Sequence, residues 1–268
     1  MTEEMKIPKE HPRAASLRVR KRLLEHYNLG VVAHAGLIAH GRGEAFDYLL
    51  GEETTKSALE AIEAAAATLL TAKHPVISVN GNAAALVASN IVKLSEVAGA
   101  RIEVNLFYRS SKRERAIEAV LRDAGATEVL GIGEDASARI PELGSERRRV
   151  DPRGILIADA VLVPLEDGDR TEALVRMGKN VIAIDLNPLS RTAQLATVTI
   201  VDNIVRAMPT MAKIAERLRT EGKEKLKGIA SDFDNKRTLG ESIDLINQRL
   251  TKLAEKGTYI SLLEMTKK

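Results

Sequence analysis

Two spacings of apolar residues alternate along most of this chain. Between Ser16 and Asn28, Leu17, Val19, Leu23 and Leu24 recur at loosely helical intervals, and Gly30 supplies a stop. An apolar stretch from Val31 to Ala39 then runs into His40-Gly41-Arg42-Gly43. Glycines on both sides of an arginine predict a tight backbone path that presents the guanidinium. Ser57-Ala58-Leu59-Glu60 reads as a capping box ahead of an Ala-rich helix reaching about Lys73.

Short apolar runs follow, separated by helical segments. Val76–Val79, Ile102–Leu106, Thr127–Leu130, Ala158–Val163, Val181–Ile184 and Thr197–Val201 are read as strands. Helices are expected from Asn80-Gly81-Asn82 to about Ala98, with a break, from Arg113 to Asp123, and from Thr171 to Met177. Another runs from Asn203 to Leu218, with Asp202 as its cap. The stretch from Gly131 to Gly154 carries Arg147-Arg148-Arg149 and no clear period, and is read as a long loop whose arginines are solvated or meet a second subunit. Beyond Lys223–Lys236, Thr238-Leu239-Gly240-Glu241 forms a second capping box, and Ile243, Ile246, Leu250 and Leu253 mark one helix face. A last apolar group, Ile260, Leu262, Leu263 and Met265, calls for a partner surface.

Strands that alternate with helices imply an α/β fold, a Rossmann-like parallel sheet with helices on both faces and flanking N- and C-terminal helices. The expected organisation is one structural unit in three parts: residues 1–55 with the first helix and the Gly-Arg-Gly loop, a nucleotide- and substrate-binding core at 56–220, and a helical tail at 221–268. Ligands of such sheets sit beyond the carboxyl ends of the strands. The unusual polar residues follow strands, so they should gather along one rim.

Composition narrows the chemistry. With 268 residues, 44% hydrophobic and 29% charged, the chain is of the soluble globular kind. It has no cysteine, which removes thiolate nucleophiles, disulfides and cysteine-held metals. A formal charge of +3 and 3% aromatic residues provide neither a basic coat nor stacking platforms for nucleic acid. No run is long enough to span a bilayer and no apolar leader core opens the sequence, so a cytoplasmic protein is expected.

Among nucleotide signatures the Walker pattern is missing. Gly131-Ile132-Gly133-Glu134-Asp135-Ala136 matches the dinucleotide fingerprint in letters, but no long apolar helix follows, which favours a structural turn over NAD. Asn80-Gly81-Asn82 sits at a strand-to-helix turn, and suits either an anion or a plain Asn cap. Asp185-Leu186-Asn187-Pro188-Leu189-Ser190-Arg191 pairs an acid suited to a ribose hydroxyl or purine amine with a serine and an arginine suited to phosphate. Asp202-Asn203 is a similar cluster at the next strand end. Glu166-Asp167-Gly168-Asp169-Arg170 concentrates carboxylates that either hold Mg²⁺, through Asp167 and Asp169, or cap a helix. Arg20, Arg42 and Arg109 are further anion candidates. The histidines show no metal spacing, and His40 alone stands in suggestive company.

Taken together, these segments resemble archaeal phosphopantothenate synthetases. The likeness rests on Pro12-Arg13, on Gly36–Leu49 with its His-Gly-Arg-Gly centre, on His74–Asn82, and on Val104-Asn105-Leu106-Phe107-Tyr108-Arg109. It continues through Val163–Arg170 and Asp185–Thr192 and extends to about residue 210. Ala14-Ala15 replaces an aromatic of the family, and the C-terminal helices show no match. The resemblance implies a ligase that joins 4-phosphopantoate to β-alanine in coenzyme A biosynthesis, cleaving ATP to AMP and pyrophosphate through an acyl-adenylate. It also implies a homodimer, and Mg²⁺ is expected to arrive with the phosphates. Under it, Asp185, Leu186, Asn187, Asp202 and Asn203 hold the nucleoside, Ser190, Arg191, Arg20 and Arg42 face phosphates, and Asn80, Gly81, Asn82 and Arg109 take the phosphopantoate. No general base stands out. The rival reading is a Rossmann-like regulatory protein that binds a nucleotide or sugar phosphate without turnover.

Overall fold

The computed structural model describes residues 7–256 apart from positions 9, 12, 142 and 166. Pro12, Glu166 and the group Ile260, Leu262, Leu263 and Met265 therefore lie outside the described residues. Helices α1 (Ala14–Asn28), α2 (His34–Leu50) and α3 (Lys56–Thr71) come first. They lead into β1 (Pro75–Val79), α4 (Gly81–Ala98), β2 (Arg101–Val104) and α5 (Ser111–Asp123). A small antiparallel pair, β3 (Ala138–Arg139) and β4 (Arg149–Val150), precedes β5 (Ala160–Pro164). The chain continues through α6 (Gly168–Arg176), β6 (Asn180–Ile184), α7 (Arg191–Leu195) and β7 (Val198–Ile200). It closes with α8 (Ile204–Leu218), α9 (Lys223–Ser231) and α10 (Asn235–Lys256). No helix among the described residues is long and apolar enough to cross a membrane.

β1, β2, β5, β6 and β7 form one parallel sheet in the order β2-β1-β5-β6-β7. Every residue of β1 and β5 is buried, as a sheet covered on both faces requires. The two-residue side-chain period divides the strands cleanly. Ile77, Val79, Leu162, Ile182 and Ile184 enter a core shared with α3, α4 and α8. Val76, Val161, Val163, Val181 and Ala183 face the other way, toward Leu174 of α6 and toward Ile140, Leu143, Val150 and Ile155. The second face is thus covered largely by the segment between α5 and β5, which the sequence marked only as a loop.

A buried carboxylate holds that segment in place. Glu103 on β2 is fully buried and accepts hydrogen bonds from the main-chain N–H groups of Asp151 (3.0 Å) and Ile155 (2.6 Å). A methyl at Gly154 would stand 2.0 Å from its Oε2, so glycine is needed for the close approach. Burial pushes the Glu103 carboxyl up to about 7, against the pull of the two amides and of the Arg170 guanidinium.

Several local expectations shift. His40-Gly41-Arg42-Gly43 makes no tight turn, because the whole stretch lies inside α2 and none of these residues has a positive φ. Thr127–Leu130 contributes one bridge, Leu130 with Glu103, instead of a strand. The α3 cap is Thr55, which accepts from the Ala58 N–H, and Ser57 lies within the helix. The Thr238 box falls inside α10, whose first turn is capped instead by Asp234, which accepts from the Arg237 N–H at 3.0 Å. Asn203 rather than Asp202 caps α8, and Asp167 rather than Asp169 caps α6. α4 carries the expected break, at Val87. Gly131-Ile132-Gly133 leads only into a three-residue turn of helix, too short for a dinucleotide site.

α2 lies across the carboxyl ends of the strands. A methyl at Gly36 would stand 2.3 Å from the Asn82 Oδ1, and one at Gly43 would touch Leu186 at 3.5 Å. Seven residues of helix advance about 10.5 Å. That matches the roughly 9.6 Å between β1 and β6, which are two strands apart. Bare glycines therefore let α2 roof both strand ends at close range. Gly81 is tighter still, since its Cβ would meet the Val31 carbonyl oxygen at 2.1 Å. Because the collision is with backbone, Gly81→Ala is expected to destabilise the fold by about 1–3 kcal/mol, read as a lower denaturant midpoint at unchanged slope.

Candidate active site

Under α2 lies a cavity of about 770 Å³. It opens at the carboxyl ends of β1, β5 and β6, where the strand order reverses, the place at which open parallel sheets bind ligands. Its described lining includes four arginines (Arg42, Arg113, Arg147, Arg191) against two carboxylates (Asp167, Asp185), a balance that favours anions. Aromatic faces come from Phe46, Phe107 and Tyr108.

The two ends differ in chemistry. At the β6 end, Asp185 accepts from the Asn187 N–H (2.9 Å) and from the Ser190 hydroxyl (2.5 Å), while Ser190 also caps α7. Burial raises the Asp185 carboxyl above its ordinary range, although the two hydrogen bonds and the Arg42 charge oppose the shift. The Arg42 side chain makes no hydrogen bond or ion pair with another described residue. Arg191 is held by Asp169 (2.6 Å) and Glu172 (2.7 Å).

At the β1 end, Asn80 caps α4 by accepting from the Ala83 N–H, and its amide donates to the Pro164 carbonyl oxygen at 2.8 Å. The Gly81 and Asn82 N–H groups at the start of α4 remain available to an anion. Asn82 donates to the Gly36 carbonyl oxygen (2.8 Å), linking this turn to α2. Arg147, far from being a solvated loop residue, is buried and ion-paired with Asp167 at 3.0 Å. Arg113 donates to the carbonyl oxygens of Tyr108 and Val31, the latter at 3.1 Å.

Of the sequence-predicted residues, Arg42, Asn80, Gly81, Asn82, Asp167, Asp185, Leu186, Asn187, Ser190 and Arg191 line this cavity together. Four others do not. Arg109 is buried in an ion pair with Glu114 and donates to the Gly131 (2.6 Å) and Arg149 (3.2 Å) carbonyl oxygens. Arg20 forks onto Glu44, with a 2.7 Å contact. Asp202 accepts from Thr54 (2.7 Å) and Arg206, and Asn203 donates to Asp47 at 2.8 Å. These last two, with Arg206, fasten α2 to the end of β7. Burial also lowers the pKa of His40, whose charged neighbours are Glu44, Arg20 and Asp47.

Asp167 and Asp169 are each neutralised by an arginine, and the described residues contain no group of three His, Asp or Glu side chains able to hold a metal. They do not form a cage for a protein-held cation. The charged cavity residues that sequence reasoning missed are Arg113, in the first turn of α5, and Arg147, in the aperiodic segment. Nothing in their neighbourhood sequence distinguishes them from surface arginines.

Comparison with known proteins agrees with this geometry. The family model described as phosphopantothenate/pantothenate synthetase matches residues 57–249. A Thermococcus kodakarensis protein named 4-phosphopantoate–β-alanine ligase is 53% identical over 254 residues, covering 94% of this chain and 97% of the relative. A Methanosarcina mazei protein of the same name is 53% identical, with 94% and 99% covered. One from Methanospirillum hungatei is 47% identical, with 93% and 100% covered. With a family model spanning most of its length and relatives this similar end to end, the chain belongs to the phosphopantothenate/pantothenate synthetase family.

Proposed function

We propose that this chain joins 4-phosphopantoate to β-alanine at the expense of ATP, forming 4'-phosphopantothenate for coenzyme A. The observation that carries the reading is one cavity whose two ends suit two different anionic ligands beneath a single helix. The nucleotide belongs at the β6 end: Asp185 and Asn187 toward the nucleoside, Leu186 beneath it, and Ser190, Arg191 and Arg42 toward the phosphates. The acyl substrate belongs at the β1 end, over Asn80, Gly81 and Asn82. Arg20, Asp202 and Asn203 support the site by holding α2 rather than by touching ligand, and Arg109 supports it through the α5 side.

A carboxylate is a poor acyl donor. In this reading its oxygen attacks the α-phosphorus of ATP, and the bond to the β-phosphate oxygen breaks to release pyrophosphate. The neutral amine of β-alanine then attacks the acyl carbon of the adenylate. AMP leaves and the amine's proton passes to solvent. The protein's task is to align the reactants, and such alignment lowers barriers by up to about 7–11 kcal/mol. Guanidinium groups offset charge that builds on the transferring phosphate. Mg²⁺ would be held by the phosphates of ATP and would offset their charge, because Asp167 and Asp169 are already paired with Arg147 and Arg191. The large exposed apolar side chains Leu24, Leu29 and Ile38 on and between α1 and α2 suit contact with a second copy, in keeping with a cytoplasmic homodimer.

The test is AMP formation from ATP and Mg²⁺ with each acyl and amine substrate supplied separately and then together. AMP that requires both is expected. ATP that binds without yielding AMP in any combination would instead point to a nucleotide sensor.

A further inference from the structure

Arg113 differs from the other guanidinium groups of the cavity. Arg147 and Arg191 each have a carboxylate within 3.0 Å, and Arg42 stands exposed near Asp185. Arg113 is half-buried and makes no ion pair with any described carboxylate. Its terminal nitrogens are aimed by the Tyr108 and Val31 carbonyl oxygens, and its Nε is buried without a hydrogen-bond partner. Burial pulls its pKa down, and the neighbouring charge of Arg147, another cation, adds to that. A partly desolvated cation that lacks a counter-charge is costly. An anionic ligand would remove that cost.

Arg113 also stands at a defined end of the site. Its Nη2 is 3.1 Å from where a Cβ of Gly81 would be, at the end of β1. Asp185 follows β6, two strands away. Given the nucleotide placement proposed above, on which this inference rests, the anion met by Arg113 is carried by the acyl substrate. The description of the family spans phosphopantothenate and pantothenate synthetases, whose products differ by one phosphate. We propose that Arg113 reads the phosphate of the acyl substrate, with Arg147 beside it, and so makes the enzyme select the phosphorylated hydroxy acid over its unphosphorylated form. A hydroxyl in place of the phosphate leaves the guanidinium without a counter-charge. Sites built around a polar partner reject analogues lacking it far more strongly than apolar pockets reject a missing methylene.

The experiment compares wild type, Arg113→Lys and Arg113→Met in steady-state AMP formation, with 4-phosphopantoate or pantoate as the acyl substrate. In Arg113→Met the ratio of kcat/KM for the phosphorylated over the unphosphorylated acid is expected to fall at least about 100-fold. Arg113→Lys should retain part of that ratio, and the KM for ATP should stay within about threefold in both. Equal losses on the two acids, or a rise in KM confined to ATP, would overturn the assignment. Should Arg113→Met fail to fold, Arg113→Lys and inhibition of wild type by inorganic phosphate decide: competition against 4-phosphopantoate supports the proposal, and competition against ATP alone overturns it. Wild type that makes no AMP from either acid removes the ligase reading and this inference together. Wild type that makes AMP while the variants lose both acids alike removes the inference only.

Discussion

Asp185→Ala is expected to reduce AMP formation by about 10²- to 10³-fold, with the overall fold retained. The carboxylate accepts from the Asn187 N–H and the Ser190 hydroxyl, and so shapes the loop that presents Ser190 and Arg191 to the cavity. In the proposed reaction it also accepts from the nucleoside. Hydrogen bonds to a charged group contribute about 1.5–3 kcal/mol each. Two such contacts come to roughly 3–6 kcal/mol, and each 1.36 kcal/mol is a factor of ten in rate, so the expected loss sits at the lower end of that range. The loss should appear in both kcat and the KM for ATP, because loop order and nucleoside contact fail together. Asp185→Asn keeps one acceptor and should fall between. Steady-state kinetics checks the prediction, with circular dichroism to confirm the fold. A variant within threefold of wild type would move the nucleoside away from the β6 end.

The second large effect concerns stability. Glu103→Ala leaves the Asp151 and Ile155 amides without their acceptor in a dry site, and opens space beside Gly154. An unsatisfied buried donor costs about 1–3 kcal/mol, so two should cost roughly 2–6 kcal/mol. In a chain of this size that lowers the thermal midpoint by roughly 5–20 °C. Because Glu103 carries one wall of the sheet's second face, the damage should spread to residues 131–158, and hydrogen exchange there should accelerate first.

Wild type has a pH signature at the same residue. The folded carboxyl sits at about 7, above its ordinary value of 4.5, so the folded state binds the proton more tightly. Its contribution to stability is fully present below the unfolded value and is lost as pH rises through the folded one. The advantage of wild type over Glu103→Gln, which cannot ionise, should therefore shrink between about pH 5 and about pH 8, a window that spans the folded titration. Thermal melts of both proteins at the two pH values measure it. An unchanged gap would mean that the carboxyl is already ionised at the lower pH in the folded state, with the two amide bonds outweighing burial.

Residues that act on near neighbours are legible in the sequence itself. Five of the six apolar runs read as strands pair in the sheet, since the two-residue period and full burial show directly in Val76–Val79 or Val181–Ile184. The sixth, Thr127–Leu130, is apolar enough but closes only one bridge at the sheet edge. Caps are legible only to within a few residues, because Thr55 and Ser57, or Asp167 and Asp169, offer the same chemistry and the flanking backbone decides. His40-Gly41-Arg42-Gly43 misleads for a related reason. Glycine signals freedom of φ, whereas here its value is the missing side chain that lets α2 pack over Leu186.

The sequence by itself therefore determined the parallel α/β sheet, the rim along which polar residues collect, and the Asp185–Arg191 loop, all of which depend on spacing and local capping. Only the tertiary structure decided which charges are free to meet a ligand. Arg109 is neutralised by Glu114, Arg147 meets Asp167 from twenty residues away, and Arg206 reaches Asp47 across 159 positions. Helical and strand periods are local and repeat within a few residues. Charge compensation is settled at about 3 Å between side chains brought together by the fold, so an arginine's letter cannot tell whether its partner is a carboxylate or a substrate.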